Sequence, residues 1–103
     1  MKKAAEPLIA KIDPDLRDLI PRYLENRNKD IIAIRTALKA SDFNKIRVLG
    51  HSMRGSGGGY GFMLISKIGK ALEIAAKQKD SDLILNHLTE LSDFLERVTL
   101  VYD

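Results

Sequence analysis

The sequence predicts an all-α domain, an up-down-up-down four-helix bundle with a short additional N-terminal helix. Three observations lead there. Apolar residues return at spacings of three, four and seven along four separate stretches, as they do on one face of a helix. The stretches are joined by short links that are polar or glycine-rich, and no alternating strand pattern competes with them. The chain has 103 residues, the size of one compact domain, and four amphipathic helices of that length bury their stripes together only around a common axis.

Residues 1–12 have weak periodicity, and Pro7 discourages a long helix there, so a mobile or loosely docked lead-in is expected, with the helical domain occupying 13–103. Asp13-Pro14 suits a helix start: Asp accepts from free backbone N–H groups, and Pro tolerates the first helical position. A short first helix therefore begins at Pro14. Pro21, which lacks a backbone donor, begins or kinks the next helix. That long helix runs to about Ala40 and buries Leu24, Ile31, Ile34 and Leu38, while Glu25, Arg27, Lys29, Asp30, Arg35 and Lys39 take its other faces.

Ser41-Asp42 interrupts the pattern and caps a segment in which Phe43, Ile46, Gly50 and Met53 share a face. Glycines then crowd residues 55–61, and because each interior glycine costs a helix about 1 kcal/mol relative to alanine, the helix frays or stops there. Ile65, Ile68, Leu72, Ala75 and Ala76 resume the helical period over 62–79, with Lys67, Lys70, Glu73 and Lys77 interleaved. Asp80-Ser81-Asp82 breaks and caps. Ile84, Leu88, Leu91, Leu95, Val98 and Tyr102 then trace a heptad-like stripe, which predicts a last helix reaching the C-terminus.

Composition narrows the chemistry. There is no cysteine, which removes disulfides, thiolate catalysis and cysteine-bound zinc. Seventeen Lys and Arg against fourteen Asp and Glu give a net charge of +3, dispersed along the chain in the manner of solvated helix faces rather than a nucleic-acid stripe. The basic N-terminus is interrupted by Glu6, Pro7 and Lys11, which spoil the apolar core of a signal peptide. The longest apolar run, Phe62-Met63-Leu64-Ile65, falls far short of the ~20 residues that cross a bilayer. A cytoplasmic monomer that binds neither nucleic acid nor membrane is the resulting expectation.

The chemistry-bearing candidate is His51. On a helix it shares a face with Arg47, Val48, Arg54 and Gly55, away from the Phe43, Ile46, Gly50 and Met53 stripe, so it points outward beside a cation and a glycine. A solvent-facing imidazole is substantially neutral at cytoplasmic pH, and a neutral ring keeps one nitrogen able to attack phosphorus. Phosphoryl transfer depends chiefly on positioning and nearby positive charge, which Arg54 can supply, while the bare Gly55 lets a partner approach. Position alone supports little, since a lone exposed histidine is in most proteins only a surface residue.

The string His51-Ser52-Met53-Arg54-Gly55-Ser56 resembles the signature of the histidine-containing phosphotransfer (HPt) domain family, in which the phosphoacceptor His is followed at three residues by Lys and at four by Gly. The small Ser56 and a glycine ten residues past the His, Gly61, also fit, and the likeness covers nearly the whole chain from Asp13. Arg54 stands where Lys is usual and Gly50 where Ala is common; the first swap keeps the charge but changes donor geometry. The stretch also looks like the phosphoacceptor domain of chemotaxis histidine kinases.

What the resemblance implies is a phosphoryl carrier rather than an enzyme. His51 is the phosphoacceptor, Arg54 balances charge, and Glu73, twenty-two positions on, hydrogen-bonds the inner ring nitrogen and orients His51. Arg47, Val48, Gly55 and Gly61 are the expected partner-docking positions. The implied partners are the receiver domains of a hybrid histidine kinase and a response regulator in a bacterial phosphorelay. The chain itself is expected to bind no cofactor or metal; Mg²⁺ belongs to the receiver. Two alternatives stand beside this: the acceptor domain of a chemotaxis-type kinase, and a helical adaptor that binds a receiver without being phosphorylated.

Other features have plainer readings. The glycine cluster follows a helix and lacks Gly-Lys-Ser/Thr, so it is a turn rather than a phosphate cradle. Asp13, Asp15 and Asp18 lack the turn glycine and closing Glu of a calcium loop. His87 has no metal-spaced companion, and Lys67, Lys70 and Lys77 either rim His51 or solvate their helix.

Overall fold

In the computed structural model, which describes residues 8–103, the chain runs as β1 (Leu8–Ile12), a 3-10 helix (Pro14–Leu19), α1 (Ile20–Lys39), α2 (Phe43–Ser56), a 3-10 turn (Gly58–Tyr60), α3 (Met63–Lys77), α4 (Ser81–Arg97) and β2 (Val98–Tyr102). Short acidic side chains cap the starts of α2, α4 and the first 3-10 helix. Asp42 accepts from the Lys45 N–H and Asp80 from the Leu83 N–H, both at 3.1 Å. Asp13 accepts from the Asp15 N–H at 2.9 Å and opens the 3-10 helix, and Pro21 sits in the first turn of α1, where its missing donor costs nothing.

Each helix contributes one stripe to a shared core. Ile20, Ile34, Ile46, Met53, Ile65, Leu72, Ile84, Leu88 and Leu91 are fully buried, together with Phe62 from the loop before α3. Burying each such side chain is worth about 1.5–3 kcal/mol. Helix α1 packs against α2 and α4, and α3 packs against the same two, so the four helices close a ring around that core. Among the described residues no helix is long and apolar enough to cross a membrane.

Both ends of the described chain correct the all-helical expectation. The last helix stops at Arg97, and Val98–Tyr102 is a strand paired in parallel with Leu8–Ile12, Leu8 opposite Val98 and Ile12 opposite Tyr102. Val98 and Tyr102, four apart, lie on one face of a strand as well as of a helix, so their place in the apolar stripe did not distinguish the two. The β-branched Val98, Thr99 and Val101 favour the strand, and α4 already ends with Val98 extended. Over Leu8–Ile12 the lead-in is a paired strand: Ala10 and Ile12 face the core and Ile12 is fully buried, while Ile9 and Lys11 face outward. Residues 1–7 of that lead-in lie outside the described residues.

Candidate functional site

Helix α2 buries Ile46, Gly50 and Met53, which turns the next position, His51, away from the core. Its side chain is 68% exposed. Helix α3 lies alongside and buries Leu72, which brings Glu73 to the α2–α3 seam, where its side chain retains only 8% exposure. The carboxylate spans two partners. Glu73 Oε2 lies 3.2 Å from His51 Nδ1, and Oε1 accepts from Arg54 Nη1 at 3.3 Å.

Burial works to raise the Glu73 pKa, but the hydrogen bonds from Arg54 and His51, with the positive charge of His51 and Lys77, outweigh it and hold the carboxyl below the ordinary carboxylate range. An ionised carboxylate only accepts, so the proton of a neutral His51 ring sits on Nδ1 and the lone pair on Nε2, the nitrogen aimed at solvent. The arrangement offers an accessible nucleophilic nitrogen, an anion that stabilises positive charge on the ring, and a half-exposed guanidinium one turn away.

The remaining residues singled out in the sequence are placed unequally. Val48 and Gly55 lie exposed on α2, and an added Cβ on Gly55 would meet no atom within 4 Å. Arg47 is half-buried and donates twice to Asn44 Oδ1, at 2.9 and 3.3 Å, so its guanidinium is held along its own helix. Gly61 sits in the turn between α2 and α3. It takes a left-handed φ of 94° at the turn into α3, and a Cβ there would stand 2.9 Å from the Lys11 carbonyl oxygen, so the loop and its contact with β1 account for it. His87 lies on α4 and pairs with Glu90 at 3.2 Å. No group of three or more His, Asp or Glu is disposed to hold a metal ion among the described residues.

Two groups were not foreseen. The Ser66 hydroxyl donates to the Arg54 carbonyl at 3.0 Å and accepts from the Gly58 N–H at 2.8 Å, fastening the end of α2 and the turn after it to α3. Nothing in the local sequence marks a serine for that. Tyr23 of α1 stacks on Tyr60 at 4.2 Å and Phe62 at 5.8 Å, meets the Ser56 hydroxyl at 2.8 Å, and carries Arg27 over its other side at 4.5 Å. It sits four residues before Arg27, a spacing that puts both on one helix face, and that was its only signal.

With this geometry in hand, comparison with known proteins gives one match: a family model described as Hpt domain covers residues 18–99. No curated protein and no solved structure matches the chain.

Proposed function

The chain belongs to the Hpt domain family, whose members carry phosphoryl groups on histidine in two-component signalling, and from that membership we propose that it relays phosphoryl groups between receiver domains through His51. The observation that carries the reading is the Glu73 contact, which commits Nδ1 and leaves Nε2 exposed. In the proposed step, Nε2 attacks the phosphorus of an aspartyl phosphate on a hybrid kinase's receiver. The N–P bond forms as the O–P bond breaks, and the aspartate leaves as a carboxylate. The Nδ1 proton stays in place, so the phosphorylated ring is cationic and Glu73 offsets its charge. Arg54 faces the equatorial oxygens. The reverse reaction delivers the group to a response regulator.

No base is required, and the chain acts as a carrier whose chemistry the receiver completes with its acidic pocket and Mg²⁺. Arg47, Val48 and Gly55 surround the histidine on the surface a receiver would cover. The ring of helices is read as an up-down-up-down bundle, working as a cytoplasmic monomer.

The test is to incubate the protein with phosphorylated receiver domains and assay for acid-labile, base-stable phosphate. Label on the wild type and none on His51→Gln is expected. No label from any receiver of the organism would sink the relay. Label acquired only from an ATP-binding kinase domain would make the chain a kinase's acceptor domain, and binding to receivers without label an adaptor.

A further inference from the structure

Beneath the His51 site, α2 and α3 touch through their main chains. A Cβ added to Gly50 would stand 2.8 Å from the Glu73 nitrogen, 2.8 Å from the Gly69 oxygen and 3.2 Å from Leu72 Cβ. One added to Gly69 would stand 2.5 Å from the Arg54 nitrogen, 2.7 Å from the Gly50 oxygen and 2.7 Å from Met53 Cβ. Backbone atoms cannot swing aside as a flexible side chain can, so either alanine forces the helices apart. Both glycines lie within helices, and alanine would favour each helix by about 1 kcal/mol. Their use must rest on the contact.

That contact is reciprocal. The glycine of α2 lies against the main chain of Glu73, and the glycine of α3 lies against the main chain of Arg54. Glu73 is the residue that bridges His51 and Arg54 across the seam, with bonds of 3.2 and 3.3 Å that have no slack for a wider spacing. We infer that Gly50 and Gly69 are positioning residues: by bringing the two helices into backbone contact at this turn, they set the reach of the Glu73 carboxylate and thereby the tautomer of His51. The link to phosphoryl transfer rests on the relay reading; the link to ring geometry does not.

The experiment therefore reads geometry first. In ¹⁵N-labelled full-length protein, long-range ¹H–¹⁵N spectra of the neutral imidazole report which nitrogen carries the proton. The wild type should be dominated by the Nδ1–H form, and Gly50→Ala and Gly69→Ala should each move His51 toward Nε2–H. Phosphorylation by phosphoramidate, a small donor that needs no partner, should slow by roughly 10- to 100-fold in both. Gly57 is the control, because its Cβ would meet the Ser66 nitrogen at 2.6 Å on the same seam but away from Glu73. Gly57→Ala should keep the wild-type tautomer whatever it costs in stability. Glu73→Asp, which leaves both glycines in place and withdraws the carboxylate by one methylene, should reproduce the tautomer change and decides the matter if neither alanine variant folds.

Retention of the Nδ1–H form and of the rate in folded Gly50→Ala and Gly69→Ala would reduce the glycines to packing and overturn the inference. An equal shift in Gly57→Ala would overturn it as general loosening, and an unchanged tautomer in Glu73→Asp would show that reach does not matter. Failure of receivers to label His51 would remove the relay and leave the tautomer result standing.

Discussion

The α2–α3 seam and the β1–β2 sheet hold the molecule together by opposite means. The seam joins helices adjacent in sequence, closes on glycines, and keeps a charged group at its edge, Glu73 shared by His51 and Arg54. The sheet joins the two extremes of the described chain, buries Ala10 and Ile12, and presents no ionic group to the core. On the proposed reading, the first region arranges chemistry and the second serves stability. The difference teaches that a loss of transfer and a loss of fold should be separable by mutation, although both regions meet at the loop 57–62, where Gly61 lies against Lys11 and Ile12.

The largest expected effect tests the sheet. Ile12→Ala empties a fully buried site and should cost about 2–5 kcal/mol in denaturant unfolding, with transfer per folded molecule unchanged. A fall in that specific rate would erase the separation. On the other side, Arg54→Ala should slow transfer from a phosphorylated receiver roughly tenfold, the effect of about 1.4 kcal/mol of lost charge stabilisation, at nearly unchanged stability. An unaltered rate would remove its role.

Tyr23→Phe sits between the two regions. It deletes the 2.8 Å bond to Ser56 at the end of α2 and should cost about 1 kcal/mol, seen as a lower midpoint with an unchanged denaturant slope. The smallest effect concerns pH. Because the Glu73 pKa is lowered in the folded protein, the ionised carboxylate stabilises the fold above its ordinary value of 4.5, and that contribution is lost as pH falls through the lowered value. The gap between wild-type and Glu73→Gln melting temperatures should shrink as pH falls below about that ordinary value. A gap that does not shrink there would mean the carboxylate is not paired as seen.

Legibility in the sequence followed the same division. Helical period and acidic caps exposed α1 to α4 because each is decided by residues a few positions apart, and Asp42 and Asp80 cap as their types predict. The phase of α2 likewise put His51 outside and Ile46, Gly50 and Met53 inside. The sheet was illegible because a parallel pair needs a partner far along the chain, here ninety positions from Leu8 to Val98, and five-residue strands leave too short a pattern to outvote a helical stripe. At the site, helical period alone makes Glu73 one more polar residue on α3; its pairing with His51 was legible only through the family resemblance, and its burial depends on how closely two helices approach. Gly69 was the unread signal of that approach, a lone glycine inside an otherwise regular apolar pattern.

The parallel register of β1 and β2 has a mechanical consequence. In this register the start of β1 and the end of β2 lie at opposite ends of the sheet. A tension applied between Leu8 and Tyr102 therefore runs along the strands and across every rung of the ladder, loading the hydrogen bonds together in shear. An antiparallel pair in the same place would have put both attachment points at one end and opened one bond at a time, like a zipper. The fold is thus braced in the direction from which a neighbour tethered at both ends would pull on it.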